Sequence, residues 1–131
     1  MFSLVFPGQG SQKIGMGKDF FENYDLVKDL FKEADESLGT SLSKIILEGP
    51  KDELDLTVNT QPAIFLISYS IFQVMKKEFN MDLDNAKYFA GHSLGEYSAL
   101  CAANYLSFSD TIKILKIRGD AMQNAVPKGE G

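Results

Sequence analysis

Residues 89 to 96 of this 131-residue chain read Phe-Ala-Gly-His-Ser-Leu-Gly-Glu. Gly91 to Gly95 match the pattern G-x-S-x-G, with strand-forming residues before it and helix-forming residues after it. A strand, a sharp turn at the serine and a helix form a nucleophile elbow, whose glycines are needed because side chains there would crowd the backbone. Ser93 would lie at the start of a helix, where free N–H groups favour a developing oxyanion. The stretch therefore predicts Ser93 as a nucleophile.

A second glycine-rich turn follows the first apolar run of the chain. Residues 2–6 are predicted to form a strand buried on both faces of a parallel sheet. Residues 8–12, Gly-Gln-Gly-Ser-Gln, would then lie at the carboxyl end of that strand, where open α/β sheets bind ligands. Their spacing fits neither the dinucleotide fingerprint nor a phosphate-binding loop with its lysine, so both cofactor sites are excluded. Residues 8–12 therefore form either part of a ligand-binding site of another kind or an ordinary turn.

Composition and charge exclude several classes of function. The formal net charge is −5 and no basic run offsets phosphate charge, so nucleic acid is not an expected partner. No apolar run approaches a membrane span, and the N-terminus lacks the basic segment of a signal peptide. The single cysteine, Cys101, excludes an internal disulfide and is expected to pack in the core of a cytoplasmic protein. No metal site is predicted.

Helices are plentiful in the pattern, whereas strands are few. Helical periodicity over residues 25–38 ends at Gly39, and a long buried helix is predicted from Asn59 to about Phe79, with Pro62 in its first position. A second strand over 87–90 completes a sheet of only two strands, which is marginal by itself. The chain ends on a Pro/Gly-rich stretch of the kind that joins domains. We therefore expect the N-terminal portion of a longer α/β protein.

The predicted nucleophile needs a base, and the sequence offers no suitable one. A serine hydroxyl is a poor nucleophile at neutral pH without an adjacent base. The only histidine, His92, precedes Ser93 directly, and neighbouring side chains at a tight turn point apart. Either the base lies beyond Gly131 or the site is inert. For His92 itself, a buried structural imidazole and a residue lining an acyl pocket are both open.

Arg118 is the other informative residue. By three- and four-residue spacing it shares one face of the last predicted helix with apolar and small side chains, namely Thr111, Ile114, Leu115, Met122 and Ala125. A guanidinium in an apolar stripe is costly unless it meets an anion. That anion is either the carboxylate of a structural salt bridge or a substrate carboxylate bound bidentately.

Four blocks of the sequence resemble malonyl-CoA:acyl-carrier-protein transacylases of fatty acid synthesis. They are residues 6–12 (FPGQGSQ), 60–63 (TQPA), 91–96 (GHSLGE) and 118–119 (RG), in the family's order and spacing. The similarity extends to the acyltransferase domains of fatty acid and polyketide synthases. The resemblance implies that Ser93 attacks the thioester of malonyl-CoA and carries malonate as an ester.

The same resemblance assigns the rest of the site. The backbone N–H groups of Gln9 and Leu94 would form the oxyanion hole, and Arg118 would bind the free carboxylate of malonate. Gln61 and His92 would line the pocket. The phosphopantetheine thiol of acyl carrier protein would then accept the malonyl group, with malonyl-CoA as substrate and no bound cofactor.

The family fold implied is an α/β-hydrolase-like subdomain interrupted by a ferredoxin-like one. Residues 1–126 would be the N-terminal part of the larger subdomain and 127–131 the start of the linker to the smaller one. The family's catalytic histidine lies after this insertion, so the remainder of the chain would be needed and this segment alone would be close to inert. The alternatives are a serine thioesterase or esterase and a non-catalytic module with a vestigial serine.

Overall fold

The chain folds around one long buried helix that carries a small parallel sheet at one side. The computed structural model describes residues 1–127, 129 and 130. In this part of the chain the strands are β1 (Ser3–Phe6) and β2 (Tyr88–Gly91), and a 3-10 turn spans Leu83–Asn85. The helices are α1 (Lys18–Asn23), α2 (Asp25–Leu38), α3 (Leu42–Glu48), α4 (Lys51–Leu54), α5 (Thr57–Lys77), α6 (Leu94–Ala102) and α7 (Phe108–Ala125).

The sheet brings the two glycine-rich turns to the same edge. β1 and β2 pair in parallel, with Ser3 opposite Tyr88 and Phe6 opposite Gly91. The backbone N–H of His92 donates to the carbonyl of Phe6 at 3.1 Å, which extends the pairing beyond the strand ends. Because both carboxyl ends meet there, the loop after β1 and the turn after β2 are neighbours.

The prediction that β1 is buried on both faces is wrong. Phe6 is buried against Phe72, but Val5 is 75% exposed. In the described residues, helices cover only the face of the sheet to which Phe6 points, so alternate side chains of each strand face outward. A nearly all-apolar strand therefore does not by itself establish burial on both sides.

The long helix α5 is buried as predicted, although it begins earlier than its proline suggested. It starts at Thr57, so Pro62 lies inside the helix and Gln61 lies in its second turn. The first turn is tied to the segment just before it: the Thr60 hydroxyl lies 2.5 and 3.0 Å from the carbonyl oxygens of Leu54 and Leu56 and shares its one proton between them. This local contact accompanies a helix start that precedes the proline.

The remaining helices pack around α5 in the larger of two apolar clusters, and the smaller cluster lies between α5, α6 and the sheet. The centre of the larger cluster is made of fully buried side chains from six helices, among them Val27, Phe31, Ile46, Leu54, Phe65, Leu66, Leu94, Ile112 and Leu115. Across residues 1–127, 129 and 130, every helix falls short of the length and apolarity that crossing a membrane requires.

Cys101 lies in this core, as predicted. It is 1% exposed, and burial raises the pKa of its thiol to about 11. At pH 8 only about one thiol in a thousand would then be the reactive thiolate. We expect iodoacetamide to label Cys101 in urea but not in the native protein on the same timescale, as measured by intact mass. Equal labelling rates in both states would contradict this burial.

Candidate active site

Ser93 occupies a strained turn between β2 and α6. Its φ is 55° and its ψ is −112°, and it is the N-cap residue of α6. This combination lies outside the left-handed helical region that a few non-glycine residues adopt. Such a conformation costs about 1–3 kcal/mol and persists only where the surrounding structure enforces it. The strain at Ser93 therefore indicates a position constrained by its neighbours.

Glycines on both sides of Ser93 enforce the turn. A β-carbon at Gly91 would overlap the backbone of Gly95 and Glu96, and one at Gly95 would overlap the carbonyl of Phe6. The N–H of Gly95 donates to the carbonyl of His92 at 2.9 Å, and that of Glu96 to the carbonyl of Ser93 at 3.0 Å. Strand, turn and helix thus approach one another so closely that only glycine fits between them.

Gly91→Ala is expected to destabilise the fold severely. The added methyl group collides with backbone, which cannot rotate away as a side chain can, so we expect a loss of about 3 kcal/mol or more in the free energy of unfolding. Urea titration followed by circular dichroism measures it. The control is Gly39→Ala, where φ is +63° but no atom obstructs the β-carbon, so the loss should be about 1 kcal/mol. Similar losses for both variants would contradict the steric argument.

The loop after β1 reaches the turn directly. A β-carbon at Gly8 would lie 2.6 Å from Nδ1 and 2.7 Å from the carbonyl oxygen of His92, so this glycine permits the contact. The Gln9 side chain donates to the Thr57 hydroxyl at 3.2 Å, and the Ser11 hydroxyl donates to the Gly8 carbonyl at 2.9 Å. The predicted neighbourhood of the two turns is therefore observed.

The far end of this loop is attached to the segment before α5. Gln12 Nε2 donates to Asp55 Oδ1 at 3.0 Å. Hydrogen bonds from Lys51 and then from Gln12 lower the pKa of the Asp55 carboxyl below its usual range. The loop is thus held at both ends, by Thr57 and by Asp55.

Two backbone N–H groups remain free beside Ser93. Within the described residues, neither the N–H of Gln9 nor that of Leu94 donates a hydrogen bond. Leu94 is the first residue of α6, where N–H groups have no partner inside the helix. One free donor therefore comes from each glycine-rich turn.

Arg118 meets Ser93 across the site. Its Nη2 donates to Ser93 Oγ at 3.1 Å and its Nη1 donates to Gln61 Oε1 at 2.7 Å. Gln61 is 1% exposed, and its Nε2 contacts Met122 Sδ at 3.3 Å. Three residues singled out in the sequence, from α5, α6 and α7, thus converge on one point.

The close approach of α7 to α5 makes this convergence possible. A β-carbon at Gly119 would lie 2.7 Å from the carbonyl oxygen of Thr57, so a larger residue would push the helices apart. One turn away, Lys116 Nζ donates to Asn59 Oδ1 at 2.9 Å, and burial lowers the pKa of Lys116. Arg118 therefore projects from a helix whose position is fixed on both sides.

The surroundings of Arg118 differ in part from the predicted apolar stripe. The buried face of α7 consists of Phe108, Thr111, Ile112, Leu115 and Gly119, whereas Met122 is 46% exposed. Arg118 lies at the border of that face and is half-buried. In the described part of the chain, no Asp or Glu oxygen forms an ion pair with Arg118. The alternative of a structural salt bridge is thus not supported, and a half-buried cation faces the serine without an anion.

His92 is exposed, so the alternative of a buried structural imidazole is wrong. Among the described residues its side chain makes no hydrogen bond with Ser93, whose Oγ bonds Arg118 instead. This agrees with the expectation that the side chains of His92 and Ser93 diverge. Within the same residues no group of three or more His, Cys, Asp or Glu side chains could hold a metal ion.

One residue of the site was missed in the sequence. Tyr97 lies one helical turn after Ser93 on α6, and the guanidinium carbon of Arg118 lies 5.6 Å from its ring centroid. The four-residue spacing from Ser93 was the available signal, since residues i and i+4 share a helix face.

Known proteins resemble this chain over nearly its whole length. Residues 3–131 match the acyl transferase domain family. The malonyl CoA-acyl carrier protein transacylase of Bacillus subtilis (strain 168) is 50% identical over 129 residues, which are 98% of this chain and 39% of that protein. The chain therefore spans about two fifths of the length of the curated relatives it matches.

Solved structures give the same result. The acyl-carrier-protein S-malonyltransferase of Bartonella henselae superposes with a TM-score of 0.90 at 48% identity, over 96% of this chain and 40% of that one. A malonyl-transacylase in complex with its type II PKS acyl-carrier protein gives a TM-score of 0.88 at 40% identity, over 98% of this chain and 40% of that one. The helix-rich α/β fold with a small parallel sheet matches these structures, as predicted. The chain belongs to the acyl transferase domain family.

Proposed function

We propose that this chain is part of a malonyl-CoA:acyl-carrier-protein transacylase of fatty acid synthesis, acting in the cytoplasm. The observation that carries the proposal is the hydrogen bond from Arg118 Nη2 to Ser93 Oγ in a site where Arg118 has no carboxylate partner among the described residues. In malonate the free carboxylate is one methylene from the carbonyl that reacts. A cation in contact with the nucleophile therefore suits this substrate.

Ser93 is the proposed nucleophile in a nucleophile elbow. Its Oγ attacks the thioester carbonyl of malonyl-CoA while the base takes the seryl proton; a carbon–oxygen bond forms, the carbon–sulfur bond breaks, and CoA leaves as the thiol after the base returns that proton to its sulfur. The negative charge that develops on the carbonyl oxygen meets the free N–H groups of Gln9 and Leu94. Their lack of other acceptors supports this role.

Arg118 and Gln61 are proposed to bind the malonyl carboxylate, and His92 to line the pocket beside Gly8. The guanidinium presents several donors in one plane and binds carboxylates bidentately. Because Gln61 accepts from Nη1, the edge of Arg118 that faces Ser93 is directed toward the ligand. The carboxylate would take the place that Ser93 Oγ occupies at Nη2.

The second half of the proposed reaction uses acyl carrier protein. Its phosphopantetheine thiol attacks the malonyl ester of Ser93, the seryl oxygen leaves with a proton and malonyl-carrier protein is released. The exchange is ping-pong and needs no resident cofactor. The complex between a related transacylase and its carrier protein supports this choice of partner.

The base is proposed to lie outside this chain. His92, the single histidine, is exposed and does not bond Ser93, and the chain spans about two fifths of its relatives. Residues 1–126 would form the first part of an α/β subdomain, with 127–131 leading to a smaller inserted one. By "full-length protein" we mean this chain with the remainder that its relatives possess, and the 131-residue segment alone should be close to inactive.

The test incubates the full-length protein with malonyl-CoA and acyl carrier protein and follows both products by mass spectrometry. Malonylated carrier protein as the main product supports the transacylase. Free malonate as the main product would favour a serine thioesterase or esterase. No malonyl adduct on the protein at all would favour a non-catalytic module. Substantial transfer by the 131-residue segment alone would contradict the external base.

A further inference from the structure

The geometry points to Tyr97 as a positioning residue that orients Arg118 for the substrate carboxylate through the face of its ring. The inference rests on the proposed function and adds a determinant of malonyl selectivity. Neither the sequence pattern nor the resemblance gave Tyr97 a role. The role is inferred from the position of Tyr97 on α6, where its ring faces Arg118 of α7.

The two helices of the site make the contact between Tyr97 and Arg118. Tyr97 and Ser93 lie one turn apart on α6, whereas Arg118 comes from α7. The guanidinium carbon lies 5.6 Å from the ring centroid, within the range of a cation–π interaction. The ring is half-buried and also packs against the apolar core, so its own position is fixed. A fixed ring can therefore hold a flexible arginine.

Arg118 needs this contact to keep the orientation of its guanidinium once the substrate binds. In the free site three contacts orient it: Gln61 Oε1 at Nη1, Ser93 Oγ at Nη2 and the Tyr97 ring. In the proposed complex the contact with Ser93 is lost, because the substrate carboxylate takes the place of Ser93 Oγ at Nη2. Gln61 then supplies a single hydrogen bond, about which a guanidinium can still rotate. The Tyr97 ring supplies a second constraint on the plane of the Arg118 guanidinium. This constraint reduces the conformational entropy that the arginine side chain loses when the carboxylate binds.

The ring face, not the hydroxyl, carries this role. In the described residues the Tyr97 hydroxyl makes no hydrogen bond, either with Arg118 or with another group. The attraction arises from the ring quadrupole, which phenylalanine also has and leucine lacks. Tyr97→Phe should therefore preserve the function, whereas Tyr97→Leu keeps apolar bulk for the core but removes the interaction.

The test compares Tyr97→Phe and Tyr97→Leu in the full-length protein, with malonyl-CoA and acetyl-CoA as donors. We expect Tyr97→Phe to stay within about twofold of the parent for both donors. Tyr97→Leu should lower kcat/KM for malonyl transfer about 3- to 30-fold, the range of a partly desolvated cation–π contact, and change acetyl transfer little. Retained acetyl transfer also shows that the variant is folded, and Tyr97→Met serves as a second variant without a ring. In an Arg118→Ala background the ring should no longer affect the malonyl-to-acetyl ratio.

Three results would overturn the inference: equal behaviour of the Phe and Leu variants, an equal loss for both donors, or an effect of Tyr97→Leu on the ratio that persists without Arg118. If the parent transfers malonate and Arg118→Ala removes its preference while Tyr97→Leu does not, only this inference fails. If the parent transfers no malonate, the proposed function fails and the role of Tyr97 fails with it.

Discussion

Ser93→Ala is expected to abolish malonyl transfer by the full-length protein, with a loss of roughly a millionfold in kcat, as for nucleophile removal in a serine protease. The reaction has no alternative acceptor for the acyl group, because the hydroxyl that forms the ester is absent. The N–H groups of Gln9 and Leu94, which are proposed as oxyanion donors, would remain, but without the nucleophile they have no intermediate to stabilise. The variant should fold, since alanine removes one oxygen and leaves the turn glycines in place.

Intact-mass spectrometry after brief exposure to malonyl-CoA measures this prediction directly. The parent should gain one malonyl group and Ser93→Ala none, while a steady-state assay with acyl carrier protein records the loss of turnover. Ser98→Ala is the matched control, since its buried Oγ has no hydrogen-bond partner in the described residues and lies on the same helix. That variant should keep both the adduct and the activity. A malonyl adduct that persists without Ser93 would assign the nucleophile elsewhere.

The sequence was informative where one residue type has a single physical role. Gly39 ends α2 at the predicted residue because its φ of +63° is the left-handed cap that glycine adopts readily. The G-x-S-x-G pattern located the turn after β2 because only glycine fits between strand and helix there. Such signals are local, so they can be read without knowing the rest of the fold.

Other features depended on neighbours that no local pattern names. Pro62 suggested a helix start, but the hydrogen bonds of Thr60 to the preceding segment extended α5 by more than a turn. Val5 was expected in a covered sheet and is 75% exposed, since alternation along a strand does not say what packs on each side. In both cases the surroundings of the residue, and not its intrinsic tendency, decided the outcome.

The same distinction between local signals and contacts with distant residues applies to the site. The resemblance assigned roles to Ser93, Gln61 and Arg118, but their distances follow from how closely α7 approaches α5 at Gly119. Tyr97 escaped notice because an aromatic residue on a buried helix is usually core, and only its contact with Arg118 supports the second role proposed for its ring. Contacts between helices that are far apart in sequence could not be predicted from local sequence patterns.

Arg118→Ala is expected to convert a malonyl-selective site into one that prefers neither malonate nor acetate. Removing one partner of a buried, hydrogen-bonded charge pair costs about 2–5 kcal/mol, so kcat/KM for malonyl transfer should fall roughly thirtyfold to several thousandfold. Acetyl transfer should change far less, since acetate has no carboxylate for Arg118 to bind. Arg118→Lys keeps the charge but not the planar fork, and it should give an intermediate malonyl rate.

Competition between malonyl-CoA and acetyl-CoA for the same enzyme, with both carrier-protein products quantified, measures the selectivity. Lys113→Ala is the control for loss of a cation from α7, because Lys113 is exposed and lies away from Ser93. If Arg118→Ala lowered malonyl and acetyl transfer equally, the arginine would be holding Ser93 or the helices in place. An unequal loss would show that Arg118 acts on the malonyl carboxylate, because the two donors differ only in that group. The ratio of products, more than either rate, therefore decides whether Arg118 binds the carboxylate of the substrate.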